Sequence, residues 1–229
     1  MEMLNKDEIL SIGMCLKLSD LLNFSLVNKR VNHIIEKIWI YKLNKEFEDF
    51  HILNLNSSHK EIYTLLYSLN TLKNKIELKE SIYELYNIET FGFHKGMISI
   101  PKEIWSLRNL KELDLSYNIF TEIPRELFNL TKLKVLRLYS NRLRKIPKEI
   151  ENLINLEFLH ISDNQLKEIP KEMGRMIKLN TISLFDNKLR TLPEELNNLP
   201  DLKFLGLTGN TINYIPEILL RNEKLTIRR

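Results

Sequence analysis

The chain has 229 residues, 43% of them hydrophobic, with 34 Lys and Arg against 30 Asp and Glu for a net charge of +4 at pH 7. This composition excludes a disordered polar tail, and the near-balance of charge argues against a dedicated nucleic-acid binder. One cysteine, Cys15, excludes a disulfide framework or a cysteine-based zinc cluster, and no run of about 18 apolar residues offers a membrane span. The first residues carry Asp7 and Glu8 where a secretory leader needs a basic and then an apolar stretch, so an intracellular chain, cytoplasmic or nuclear, is expected.

Residues 1–50 show no repeat and read as short amphipathic helices. Asp7-Glu8-Ile9-Leu10 opens the first, Ser19-Asp20 starts a second before Leu21, Leu22, Leu26 and Val27, and a third apolar set runs through Val31, Ile34, Ile35, Ile38 and Trp39. The stretch Leu4-Asn5-Lys6-Asp7-Glu8-Ile9-Leu10, then Asp20-Leu21-Leu22-Asn23-Phe24-Ser25-Leu26-Val27-Asn28-Lys29-Arg30, then Trp39, resembles an F-box, with Asn5 in place of the usual proline and Val31 in place of a frequent tryptophan. The resemblance implies a small all-α domain that docks on a Skp-family adaptor through Leu4, Ile9, Leu10, Leu21, Leu22, Leu26, Val27, Lys29, Val31 and Trp39. Residues 51–86 are expected to form a helical connector and N-terminal cap, with one helix beginning near His59 and another over Ser81 to Tyr86.

From residue 87 the chain is periodic. Six of its seven prolines, Pro101, Pro124, Pro147, Pro170, Pro193 and Pro216, stand 23 residues apart. A fixed period in this range marks a repeat architecture. Leucines recur at Leu110, Leu133, Leu156, Leu179 and Leu202, and each is followed eight residues later by Asn118, Asn141, Asn164, Asn187 or Asn210. The unit Leu133 to Pro147 resembles the leucine-rich repeat, in its 23-residue form with Ile-Pro before the outer segment. The resemblance implies an α/β solenoid with parallel strands on its concave face. The Leu-x-Leu alternation predicts a strand with one buried side. The carboxamide of the asparagine can both donate and accept, and so can satisfy backbone groups between coils. After each proline, apolar residues three apart predict a short helical or 3₁₀ stretch packing inward. A degenerate first coil is expected from Ile88, Phe91, Phe93, Gly96, Ile98 and Ile100, and a last partial strand from Leu225 onward with no dedicated cap.

The five histidines, His33, His51, His59, His94 and His160, have no ligand-type spacing to one another or to carboxylates, and no nucleophile or phosphate-loop motif is present. No catalytic residue, metal or cofactor is therefore expected. A ubiquitin ligase that carries its own reactive cysteine needs a further domain, and Cys15 lies inside the F-box-like helices. The outward positions of the repeat strands are the informative ones, because they carry large rings: Tyr139, Phe158, Phe185 and Phe204 surround Arg137 and His160. Exposed rings on a sheet point to a partner, so these six residues are the expected target-binding set.

Together the two resemblances imply an F-box protein with leucine-rich repeats, similar to those of large amoebal DNA viruses or amoebae. Such a protein is the non-catalytic receptor of a Skp–cullin–F-box ubiquitin ligase. Its partners would be the adaptor, through it a cullin–RING ligase, and an unidentified target protein, with no membrane or nucleic acid and no self-association outside the complex. The alternative is an intracellular repeat scaffold with a helical cap and no link to ubiquitin.

Overall fold

The computed structural model describes residues 38–40, 42–44, 46–47, 57–94 and 96–229. The chain divides into two compact units, Met1–Glu84 and Leu85–Arg229.

In the first unit, helix α1 (His59–Lys75) begins where the sequence expects it. Its start is held by a capping box: the Glu61 amide donates to Ser58 Oγ (3.4 Å), and the Ser58 amide donates to Glu61 Oε2 (3.0 Å). Leu66, Leu69 and Leu72 form its fully buried stripe. Tyr63 anchors an aromatic cluster, with ring centroids 5.2 Å from Trp39, 5.7 Å from Phe47 and 6.1 Å from Tyr67. Its hydroxyl donates to Glu46 (2.6 Å). Burial first, then this carboxylate, push the Tyr63 hydroxyl well above the usual phenol range.

Trp39, the one expected adaptor residue among those described, is fully buried, with its ring tilted against that of Tyr63. The other nine expected adaptor residues, Leu4 to Val31, lie outside the described residues.

Helix α2 (Ile82–Asn87) spans the division between the units. Beyond it the solenoid runs as seven three-residue strands: β1 (Thr90–Gly92), β2 (Glu112–Asp114), β3 (Val135–Arg137), β4 (Phe158–His160), β5 (Thr181–Ser183), β6 (Phe204–Gly206) and β7 (Thr226–Arg228). They form one parallel sheet in sequence order. The register follows the period: Leu113, Leu136, Leu159, Ile182 and Leu205 stand in one buried row. Between strands the chain returns through 3₁₀ segments that each follow a repeat proline, such as Lys148–Asn152 and Lys171–Arg175, and through a short α-helix, α3 (Glu217–Leu220), in the last coil. Proline suits this position because its fixed φ is compatible with the following turn. At Gly174 a Cβ would run into the Glu195 carbonyl, so glycine there lets two neighbouring outer segments close up.

The degenerate first coil forms, with β1 paired to β2 and Phe91, Phe93 and Ile100 buried. Ile98, read as part of its inward pattern, is instead 75% exposed. The coil is one residue shorter than the regular ones, and Gly96, with φ +63°, stands where the others carry asparagine, so the turn takes another course.

The asparagines join the coils. Asn164 Nδ2 donates to Leu138 O (3.0 Å) on the preceding coil and to Ile161 O (3.2 Å) and Ser162 O (3.0 Å) on its own, while its Oδ1 accepts from the Leu143 amide (2.9 Å). Asn118, Asn141, Asn187 and Asn210 repeat the arrangement. The residue before each is left-handed: Tyr117, Ser140, Asp163 and Asp186 have φ between +49° and +56°, and Gly209 has +77°. A side chain in that region is costly, and the asparagine bonds that fix the turn offset the strain.

Removing the Asn164 amide strands the buried Leu143 N–H and takes one of two donors from Leu138 O, Ile161 O and Ser162 O, which keep Asn141 Nδ2, Asn187 Nδ2 and the Ser140 amide. Asn164→Ala is expected to lower unfolding free energy by about 2–4 kcal/mol. Asn210→Ala, on a partly exposed residue near the end of the ladder, is expected to cost about 1 kcal/mol. Urea titrations of both variants check this, and equal losses would contradict a ladder whose strength depends on burial.

Candidate protein-interaction face

Because each strand is three residues long, it turns only two side chains outward, and the register lines these up into two rows. One row runs Thr90, Glu112, Val135, Phe158, Thr181, Phe204 and Thr226; the other runs Gly92, Asp114, Arg137, His160, Ser183, Gly206 and Arg228. Just beyond the strands lie Tyr139 and Phe185, and one turn position further on lies Tyr117.

The six residues expected to bind a target all come to this face, and all are partly exposed. They fall into two groups. Tyr139 and His160 stack at 4.5 Å with only 23° between their planes, and His160 meets Phe158 edge-on at 6.2 Å. Phe185 and Phe204 form a second pair at 6.2 Å. Phe185 lies across β6, and a Cβ at Gly206 would strike its ring, so the glycine provides the bed for this phenylalanine. Arg137 bridges its row to the next one, with its guanidinium 3.3 Å from Glu112 Oε2 and 5.8 Å from the Phe158 ring centroid.

Two members of the face escaped the sequence reading. Tyr117 is 59% exposed, and its ring stands 4.9 Å from Tyr139 and 5.9 Å from His94. Together these give a continuous ladder, His94–Tyr117–Tyr139–His160–Phe158. Tyr117 sits in the turn column, where strict strand alternation does not look; a bulky tyrosine in a column otherwise filled by Ser, Asp and Gly was the available signal. His94 belongs to the degenerate coil. Its Nδ1 lies 2.6 Å from Ser116 O, which only accepts, so that nitrogen carries a proton. Ser183, although it stands in the second row, and Ser162, two residues after His160, are buried and hydrogen-bonded to each other at 2.9 Å.

The electrostatics follow from burial among rings. His160 is held below the usual imidazole range, by burial first and then by the Arg137 charge, with Asp114 partly opposing. The Tyr139 hydroxyl is pushed above the usual phenol range by burial, by a shared hydrogen bond with Tyr117, and by the charges of Tyr117 and Asp114. These groups offer hydrogen bonds, rings and fixed charges; they contain no nucleophile paired to a base.

Residues 41–184 and 123–211 match the leucine-rich repeat region family. The chain belongs to that family. Among solved structures, this leucine-rich repeat protein is similar to the plant peptide hormone receptor RGFR1 in complex with RGF2, at 39% identity and TM-score 0.52, over 61% of this chain and 22% of that one. An internalin, inlF, from Listeria monocytogenes matches at 22% identity and TM-score 0.55, over 63% of this chain and 42% of that one. The Drosophila Toll–Spatzle complex matches at 23% identity and TM-score 0.56, over 62% and 20%. The last two likenesses show the fold alone. The repeat protein thus spans less than half the length of each of these structures. No curated protein matches it.

The depressed His160 gives a pH signature. The folded protein holds this ring neutral at pH values where the unfolded chain has already protonated it. Stability from this group is therefore full above the unfolded value of about 6.5 and falls as pH drops below it, levelling once the folded group also protonates. NMR titration of the ring protons is expected to give a midpoint below about 6.5 in the wild type and a higher one in Arg137→Gln. An unchanged midpoint in the variant would remove Arg137 as a cause.

Proposed function

We propose that this leucine-rich repeat protein is a non-catalytic capture module: its concave sheet holds a segment of a target protein, and its N-terminal region attaches the pair to a ubiquitin ligase. The observation that carries the first half is the uninterrupted ring ladder on an outward sheet face. Seven strands about 4.8 Å apart give a face roughly 30 Å across, the reach of about nine extended residues. Rings gathered at the centre of such a face are the usual anchors of a protein contact. The plant receptor, 39% identical over its match, is by its description a peptide hormone receptor in complex with RGF2, which supports a peptide-binding reading.

The second half rests on sequence. The run Asp20 to Arg30, with Leu4, Ile9 and Leu10 before it, resembles the adaptor-binding part of an F-box, with Val31 where a tryptophan is frequent. On this reading the F-box docks on a Skp-family adaptor within a cullin–RING ligase, in the cytoplasm or nucleus. The chain's contribution is proximity: it raises the effective concentration of the target near the ubiquitin-carrying enzyme.

Pulldown with a purified eukaryotic Skp-family adaptor tests the second half. Wild type is expected to bind, and Leu26→Asp with Val27→Asp is expected to abolish binding. Failure of the wild type would leave a repeat scaffold without a ubiquitin connection. For the first half, Phe158→Ala with Phe185→Ala is expected to weaken target capture at least about 100-fold, since two ring anchors are removed, with a melting change of only a few degrees. A large melting loss would mean that these rings are core.

A further inference from the structure

The protein is cationic overall, yet the centre of its concave face is not. Four carboxylates, Glu112, Asp114, Asp163 and Asp186, stand on the strands or in the turns that close them, against two guanidinium groups, Arg137 and Arg228. Arg137 is turned toward Glu112 and the Phe158 ring, and Arg228 lies over Phe185 at 6.0 Å. Asp114, Asp163 and Asp186 have no ion-pair partner among the described residues. Asp114 Oδ1 accepts from the Ser116 amide (3.0 Å), and its charge reaches both Tyr139 and His160. Lys111 and Lys134 stand one residue before β2 and β3, where Glu89 and Glu157 neutralise them at 2.6 and 3.0 Å. Lys203 is exposed, but it lies at the far end beside β6.

The resulting subsite has an exposed ring, Tyr117, and a partly exposed one, Tyr139, stacked on His160, beside a carboxylate with no ion pair of its own among the described residues. His160, the other ring within reach, is held neutral near pH 7, so it does not compete for Asp114. Rings attract cations over their faces, and a carboxylate next to them adds charge and direction.

We propose that the segment captured on the concave face is basic, with an Arg or Lys side chain seated against Tyr117 and Tyr139 and paired with Asp114, and a second cation reaching Asp163 or Asp186. This rests on the capture reading above and names the chemistry of the captured partner. Asp163 and Asp186 lie two and three coils beyond Asp114, so the two cations should stand about 10–15 Å apart, or three to five residues in an extended segment.

The probe is a random 12-residue peptide display library, panned at near-physiological salt on the full chain and on two variants. Asp114→Asn keeps the side-chain shape and the acceptor for the Ser116 amide, and Tyr139→Ala removes the central ring. Circular dichroism and melting curves establish that both fold. The expected result is enrichment of clones with two basic residues three to five apart, retained about tenfold less on either variant. Basic clones that bind Asp114→Asn as well as wild type would overturn the proposal as nonspecific attraction. Acidic or neutral clones lost on Tyr139→Ala would overturn it while leaving concave capture standing. An absence of clones that depend on Tyr139 would overturn both.

Discussion

A parallel sheet made of three-residue strands has very little to hold it: each strand offers its neighbour only a few hydrogen bonds, and a coil cannot bury its apolar side alone. What closes each coil is the asparagine just past the strand. Its amide satisfies carbonyls on two successive coils and its oxygen accepts an amide from the earlier one, all inside a region shut off from water. Unsatisfied, those groups would each carry a desolvation cost comparable to a lost hydrogen bond. The left-handed residue before each asparagine, the proline that follows and the buried leucine row all depend on the path that these bonds enforce.

On that path the outward side chains carry no structural duty beyond not clashing, which frees them for recognition. The face divides accordingly. Toward the N-terminal end, Asp114, Tyr117, Tyr139 and His160 combine rings with a carboxylate. Further along, Phe185 and Phe204 form an edge-to-face pair, with Phe185 over Gly206. Arg137 stands within the first group, between Asp114 and His160 in the register, paired with Glu112 and lowering the proton affinity of His160. Burial first and then this cation hold His160 toward its neutral form, while Asp114 keeps no ion pair among the described residues.

How much of this could be read from the sequence depended on whether the determinant was periodic. Pro147, Asn164, Leu159 and the 3₁₀ stretch after each proline recur every 23 residues, so the sheet, its register and its hydrogen-bond ladder were legible, and the six outward residues from Arg137 to Phe204 were placed on the right face. What breaks period was harder to read. Ile98 kept the apolar type of its column but not its burial, because the first coil is a residue short. Tyr117 joined the outward face through a positive φ, which alternation does not encode. Ser162 and Ser183 are small enough to sink and bond to each other. Trp39 lies in a helical unit without repeats, where only tertiary packing decides whether a tryptophan is displayed or enclosed.

The asparagine ladder has one further implication. Every partner of Asn141, Asn164 and Asn187 in it belongs to the main chain. Such a joint does not register which side chains its neighbours carry, so any coil with the same spacing can sit next to any other. A gene segment encoding one coil could be duplicated, lost or exchanged in frame while the joints reform unchanged. The face would then diversify by shuffling as well as by point substitution, and the breadth of partners open to descendants of this chain would be set by the number of coils.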